Sequence, residues 1–385
     1  MAFQPAPKPP SLLGYYRVLS PSAGVRVSPL CLGAMNFGDA WKGFMGECDK
    51  KTSFEVLDYF FDNGGNFIDT SNNYQAEESE LWIGEWMKAR QNRDELVLAT
   101  KFTSVYPAKT PVNIKVNHAG NHSKSLRVSL AASLAKLQTS YIDLLYVHWW
   151  DFTTSVPELM RSLHAMVTAG KVLYLGISDT PAWIVAKANE YARNFGLTPF
   201  SVYQGHWSAA VRDFERDILP MVEMEGMALA PWGSLGRGSF KTEEDMAAKE
   251  EGKEGRQMGG QTEKQKAVSL ALDKIAKAKE TEITSIALSY VMHKAPYVFP
   301  IIGGRNIKHL KSNIEALALE LSTGDIEAIE DATEFDVGFP MNMLFGYGGK
   351  TKWNSSLEYK DMALLQAASH LDQPTKIAPA KPHGN

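Results

Sequence analysis

Asp69, Tyr74, Lys101 and His148 are side chains that together could handle a proton. A tyrosine hydroxyl has an unperturbed pKa near ~10, too high to exchange protons readily at neutral pH. A neighbouring lysine ammonium stabilises the phenolate and lowers that value, and a buried aspartate beside the ammonium keeps it charged and oriented. A histidine close by can hydrogen-bond a substrate oxygen. Such a set supplies a general acid for reducing a carbonyl. Taken singly, each residue has an ordinary explanation: an Asp–Lys pair at strand ends is more often a structural salt bridge, and a lone His or Tyr is usually hydrogen-bonded packing. The case rests on their conjunction, because they fall at or just after the ends of three successive apolar runs.

Those runs belong to a longer series: Pro29–Gly33, Asn66–Thr70, Leu96–Lys101, Ile142–His148, Val172–Ser178, Phe200–Gln204, Ala228–Trp232 and Val298–Ile302. Most are continuously apolar rather than alternating, which suits strands buried on both faces of a parallel sheet. Helical patterns separate them, with readable punctuation. Thr52 with Glu55, and Ser155 with Glu158, form candidate capping boxes. Thr180-Pro181 reads as a cap before a first-turn proline, and Gly64-Gly65, Gly170 and Gly196 read as stops. From Ser125 to Leu137, Leu126, Leu130, Leu134 and Leu137 form one apolar stripe.

Eight strand–helix units predict a (β/α)8 TIM barrel, an α/β fold. The competing open sheet usually announces itself with G-x-G-x-x-G after the first strand. Here that stretch reads AMNFGDAWKG. Residues 1–28 are expected to add an N-terminal hairpin (Tyr16–Leu19 with Gly24–Ser28) plugging the barrel bottom. Lys241–Lys266, rich in Lys, Glu and Gly, reads as a solvated loop. Residues 331–385 form a long C-terminal tail, and Thr103–Ser123 a long loop where substrate specificity is expected to lie together with the tail. One domain spanning 1–385 is expected, with its core at about 15–330.

Composition narrows the function. The 385 residues carry 40 Lys+Arg against 44 Asp+Glu, a net charge of −4 that gives no basic excess for nucleic acid or anionic lipid. Two cysteines rule out a disulfide scaffold and a four-cysteine zinc site. His118 and His122 have i,i+4 spacing, but HAGNH lacks the glutamate of a zinc protease, so no metal is expected. No Gly-x-Ser-x-Gly nucleophile elbow occurs. The N-terminus has no basic segment followed by an apolar core, and no run reaches the ~18 apolar residues a membrane helix needs. A cytoplasmic, non-membrane protein is the expectation, as a monomer or small homo-oligomer with a small-molecule partner.

In a barrel, active-site groups sit at the C-terminal strand ends. Beyond the four above, those ends carry Ser178-Asp179, Gln204 followed by Trp207, Gly233-Ser234-Leu235-Gly236-Arg237-Gly238, and Gly303-Gly304-Arg305. Phe67-Ile68-Asp69-Thr70-Ser71-Asn72-Asn73-Tyr74, Ala99-Thr100-Lys101-Phe102, Leu145-Tyr146-Val147-His148, Gly176-Ile177-Ser178-Asp179, Tyr203-Gln204-Gly205-His206-Trp207, and Pro300-Ile301-Ile302-Gly303-Gly304-Arg305 with Asn313 resemble, in order, the motifs of the aldo-keto reductases. The resemblance covers about 15–330. His148-Trp149-Trp150-Asp151 and the stretch VYQGHWSAA are similar to the fungal aryl-alcohol dehydrogenase branch, which includes norsolorinic acid reductase-like proteins of polyketide pathways.

That resemblance implies an oxidoreductase using NADP(H) on an aldehyde or ketone, an aromatic one judged by the branch. Asp69, Tyr74, Lys101 and His148 are then catalytic, with Tyr74 the proton donor and Asp69 also touching the cofactor. It further implies that Ser178, Asp179 and Gln204 hold the nicotinamide carboxamide, and that Trp207 stacks on the ring. Gly233, Ser234, Leu235, Gly236, Arg237 and Gly238 would meet the pyrophosphate. Gly303, Gly304, Arg305, Lys308, His309 and Asn313 would take the adenosine end, with Arg305 gripping a 2′-phosphate in preference to a bare hydroxyl. Many members carry Asn where this chain has Asp179, a departure that bears on the carboxamide pose. An alternative is a nicotinamide-binding regulatory subunit similar to the β subunits of potassium channels, which could keep the same four residues.

Overall fold

The computed structural model describes residues 4–108, 111–247, 261–347, 350–351, 361–374, 377–379 and 381–382. Eight parallel strands curl into a barrel in chain order: β3 (Cys31–Gly33), β4 (Phe67–Asp69), β5 (Val97–Phe102), β6 (Ile142–Val147), β7 (Val172–Ser178), β8 (Phe200–Gln204), β9 (Ala228–Leu229) and β10 (Ile301–Gly303). β10 pairs with β3, and the lead-in to β10 pairs with β9 through Leu229 N–H to Tyr297 O (2.9 Å) and Phe299 N–H to Leu229 O (2.8 Å), which completes the circuit. All eight expected runs form part of this ring, though β9 and β10 are shorter than their apolar stretches.

The hairpin forms from β1 (Arg17–Ser20) and β2 (Ala23–Val27). Its Leu19, Ala23 and Val27 join one buried cluster with Phe67, Val97, Ala99, Leu144, Tyr146, Val202 and Phe299. These strand residues recur at every second position, the period that turns alternate side chains inward. The hairpin therefore fills the bottom of the barrel, as expected of residues 1–28. The other side chains of the strands pack outward against the helices in a second, larger cluster that includes Ile68, Leu98, Leu145, Leu175, Leu126, Leu130, Leu159 and Leu163.

Three expected helix starts differ in detail. Helix Lys50–Asp62 is capped by Asp49, whose Oδ1 accepts the Thr52 N–H at 2.8 Å; a carboxylate three positions before the candidate box captures the free donors first. Ser155 caps Val156–Thr168, but Glu158 does not reach back, because its carboxylate accepts from Ser123 N–H and Oγ–H. Thr180 does not cap: its hydroxyl donates to the Ser178 carbonyl at 2.8 Å, and Pro181 takes the cap position of Ala182–Asn194.

Lys241–Lys266 is not wholly a loop. Glu243–Ala247 is helical, and a Thr262–Gln265 capping box starts helix Glu263–Ala278, which buries Val268 and Leu272; residues 248–260 lie outside the described residues. Of the tail, Val337 and Phe345 pack with Phe335, Met341 and Met362, and the Asp336 carbonyl accepts from Arg216 at 2.9 Å; residues 348–349, 352–360, 375–376, 380 and 383–385 lie outside the described residues. Both cysteines are free and buried. No described helix is long and apolar enough to cross a membrane.

Candidate active site

Three strands bring the candidate acid–base residues together. Asp69 ends β4, Lys101 follows Val97 and Ala99 along the inward face of β5, and His148 follows Leu144 and Tyr146 just past β6. Each therefore emerges at the C-terminal mouth of the barrel on the inner side. Tyr74 arrives on a turn whose residues Gln75, Ala76 and Glu77 all have left-handed φ (50°, 50° and 80°), an arrangement costly for residues with a Cβ. Side chains hold that turn. Gln75 donates to Met35 O (3.0 Å) and accepts from Trp41 N–H (2.6 Å), while Glu77 pairs with buried Lys136 (3.2 Å).

At the centre, Lys101 Nζ donates to Asp69 Oδ1 at 2.5 Å, to the Thr70 carbonyl at 2.7 Å and to Tyr74 Oη at 3.2 Å. The other carboxylate oxygen of Asp69 accepts from Gln204 Nε2 at 3.0 Å across the barrel. His148 stands edge-on to Tyr74 with ring centroids 5.8 Å apart, and its Nδ1 lies 3.2 Å from Ser71 Oγ and 3.4 Å from Ser104 Oγ.

Burial disfavours each charged form here, and partners decide the outcome. Lys101 is pulled down by burial, yet Asp69 and Tyr74 outweigh it and its pKa ends above the ordinary lysine value. Tyr74 goes the other way from the expectation: burial raises it more than Lys101 lowers it, so the phenol is held protonated. His148 is pushed down to about 3 by burial and by the Lys101 charge, so it is a neutral imidazole. The arrangement can present an un-ionised phenol and a neutral imidazole to one oxygen, with an ammonium behind the phenol.

On the opposite rim, Ser178 Oγ is buried and has no hydrogen-bond partner among the described residues. Asp179 follows it with φ 40°, accepts from Trp232 Nε1 at 3.3 Å, and is pushed up to about 6, chiefly by burial. Gly233, Gly236, Arg237 and Gly238 have positive φ, giving a bare-backbone turn. A Cβ on Gly233 would meet His206 Cδ2 at 2.7 Å. Ser234 is buried, with its hydroxyl donating to Trp207 O at 3.1 Å; Leu235 packs against the outer core.

Arg305 donates to Met45 O at 3.4 Å and lies over Gly46, where a Cβ would stand 1.7 Å from its Nη1. Lys308 and His309 are exposed in the first turn of helix Ile307–Glu315, Asn313 is buried, and Gly303-Gly304 lead into this region from β10. An unpartnered hydroxyl, a glycine turn and a basic helix start on one rim fit a nicotinamide dinucleotide. Among the described residues no group of three or more His, Cys, Asp or Glu could hold a metal ion.

Trp207 is placed differently from the expectation. It is 0% exposed, lies flat against Phe214 (centroids 5.3 Å apart, planes 9° apart) and donates its Nε1–H to buried Glu215 at 3.1 Å. A ring with no exposed surface offers no face to a ligand in this arrangement. The half-buried indole at the rim is Trp232, stacked on His206 with centroids 4.2 Å apart and bonded to Asp179. Its signal was visible, because Trp232 closes the seventh apolar run. Ser71 and Ser104, which flank His148, and Gly46, beneath Arg305, carried no comparable signal.

The family model of the aldo/keto reductase family matches residues 29–334, and the chain belongs to that family. It is 60% identical over 382 residues to norsolorinic acid reductase of Aspergillus flavus, covering 99% of this chain and 97% of that protein. It is 51% identical over 383 residues to aryl-alcohol dehydrogenase GME11368 of Pestalotiopsis microspora, covering 100% of this chain and 97% of that one. A putative aryl-alcohol dehydrogenase of Saccharomyces cerevisiae is 54% identical over 348 residues, 89% of this chain and 93% of its own.

Proposed function

We propose that this aldo-keto reductase reduces an aryl aldehyde or ketone to the alcohol with NADPH, with Tyr74 as proton donor, as a cytoplasmic step in secondary metabolism. The observation that carries the reading is the triple contact of Lys101 Nζ with Asp69, Thr70 O and Tyr74 Oη. The substrate class comes from the names of the relatives, reductases of norsolorinic acid and dehydrogenases of aryl alcohols. The mouth of the site agrees with it. The Trp41 ring meets Tyr74 edge-on at 6.3 Å and Phe44 at 5.8 Å, and half-exposed Trp149 is tethered to Ser104 Oγ at 3.2 Å. Flat apolar faces beside the phenol favour a flat substrate.

The cofactor would be held by Ser178, Asp179 and Gln204 at its carboxamide, by residues 233–238 at its phosphates, and by Arg305, Lys308, His309 and Asn313 at its adenosine end. Trp232, in place of Trp207, is our choice for the aromatic wall of the nicotinamide. When bound, the reduced nicotinamide supplies a hydride to the carbonyl carbon. Tyr74 Oη–H hydrogen-bonds the carbonyl oxygen and transfers its proton as negative charge develops there, while neutral His148 orients that oxygen through a ring N–H. Lys101 stabilises the phenolate left behind, and Asp69 holds Lys101 charged. The test is NADPH oxidation with a panel of aryl aldehydes and ketones. Steady consumption with NADPH, much weaker with NADH, is expected; absence of both turnover and nucleotide binding would overturn the reading.

A further inference from the structure

We propose that Asp179 sets which redox state of the dinucleotide the site prefers: its ionised carboxylate favours the cationic oxidised nicotinamide over the neutral reduced ring. This rests on the functional reading above and concerns a property that reading leaves open.

The placement carries the argument. Asp179 is fixed at the C-terminal end of β7 by its own N–H, which donates to Gln204 O at 3.0 Å, and by Trp232 Nε1, which donates to its Oδ1 at 3.3 Å. The same indole stacks on His206. Beside Asp179 is Ser178, whose buried hydroxyl lacks a partner among the described residues. The carboxylate thus stands next in the chain to the buried Ser178 hydroxyl and is bonded to the half-buried Trp232 indole of that rim. Lys101, a cation that acts on it, is already bonded to Asp69, Thr70 O and Tyr74. The carboxylate, held at the rim by its Trp232 hydrogen bond, gains from a cation placed nearby, since an opposite charge within ~4–6 Å favours the ionised form. A nicotinamide ring lodged here carries such a charge only when oxidised.

Proton linkage follows, because a ligand that prefers the ionised carboxylate must release the proton that carboxylate carries. Burial pushes Asp179 up to about 6, so the coupling falls in an accessible pH range. The groups that face it do not change charge there. Lys101, Tyr74 and Tyr203 are all shifted upward from already alkaline values, and His206 is pushed down to about 4 by burial and Arg237. Asp69 is paired with Lys101 and Gln204, and the Arg237 guanidinium lies over the Trp232 ring.

The experiment measures Kd for NADP+ and NADPH by titration calorimetry on the wild-type protein and on Asp179→Asn, from about pH 5 to about pH 8. A 2′-phosphate titrates near ~6 itself, but both nucleotides carry it, so the ratio Kd(NADP+)/Kd(NADPH) removes it. In the wild type the ratio should fall about ten-fold as pH rises across this range, and in Asp179→Asn it should stay flat at the acid value. Calorimetry of the wild type in buffers of different ionisation enthalpy gives an independent reading: NADP+ should release more protons than NADPH near about pH 6. If both nucleotides bind and the ratio is the same in variant and wild type, or proton release is equal for the two, the proposal is wrong. If neither nucleotide binds the wild type, the functional reading has failed and this inference falls with it.

Discussion

Lys101 Nζ reaches Tyr74 Oη at 3.2 Å with the last of its three N–H donors; the other two are taken by Asp69 Oδ1 and the Thr70 carbonyl. The ammonium is thereby aimed at the phenol and has no rotational freedom to turn elsewhere. It softens the effect of burial on Tyr74 without reversing it, so the phenol stays protonated across the neutral range.

The first prediction concerns the pH profile of carbonyl reduction. With Tyr74 held above the ordinary phenol value of 10.0 and Lys101 above 10.5, the acid is lost only at strongly alkaline pH. His148, at about 3, adds no ionisation near neutrality. For a neutral aryl substrate, log kcat/KM should be level above the range near about 6 where Asp179 titrates, and decline only in strong alkali. A basic limb near neutrality would contradict the assigned direction at Tyr74.

Glu215 predicts a stability effect away from the chemistry. Its buried carboxylate accepts from Arg212 Nε (3.1 Å) and Nη2 (2.9 Å), Trp207 Nε1 (3.1 Å) and Tyr290 Oη (3.2 Å), and it pairs with Lys294 at 3.6 Å. Glu215→Leu leaves two buried cations, Arg212 and Lys294, without one of the two carboxylates they share, Glu330 being the other. The cost should be about 3–5 kcal/mol in urea unfolding, as for breaking a buried ion pair from one side. A loss below about 1 kcal/mol, the scale of exposed pairs, would show the cluster to be far better solvated than its burial implies.

Gly46 and Arg305 predict a cofactor effect. Gly46 has φ 82°, and a Cβ there would stand 1.7 Å from Arg305 Nη1, so Gly46→Ala must displace the guanidinium. Gly46→Ala and Arg305→Ala should both raise KM for NADPH, by about ten-fold or more, while KM for NADH and kcat change little. Equal losses with the two nucleotides would remove Arg305 from the 2′-phosphate role.

His206 predicts a pH dependence of stability. Its folded pKa is about 4 against 6.5 for the ordinary imidazole, so between those values the unfolded chain binds the proton and the folded chain does not. Stability from this group is therefore whole above pH 6.5 and falls as pH drops toward 4. His206→Gln should narrow its stability difference from the wild type, or reverse it, as pH falls through that window, read as Tm at each pH. A difference independent of pH would mean that His206 binds its proton as readily in the fold as in the unfolded chain.

The barrel was legible because its strands are buried on both faces: Leu144–Val147 and Leu175–Ser178 read as continuous apolar runs, and helices with stop glycines separate them. Lys101 and His148 were legible because they extend the inward period of β5 and past the end of β6 into the mouth. Two kinds of feature were hidden. One is side-chain competition: Asp49 takes the cap from Thr52, and Glu158 turns to Ser123. The other is which of two similar residues keeps an exposed face. Trp207 and Trp232 both follow strand ends, and Trp207 is the one buried, flat against Phe214 with its indole N–H on Glu215. The left-handed turn behind Tyr74 was hidden for a related reason, since the side chains that hold it, Gln75 and Lys136, find partners far away in the chain.

The central claim is that the Tyr74 hydroxyl gives its proton to the substrate oxygen, and Tyr74→Phe tests it most directly, because the ring and its contacts with Trp41 and His148 are kept and only the hydroxyl is lost. Side by side, kcat for an aryl aldehyde and Kd for NADPH should be measured on wild type and variant. The account predicts that kcat falls by a factor of about 100 or more while Kd stays within about two-fold. A variant that retains most of the wild-type rate would contradict it.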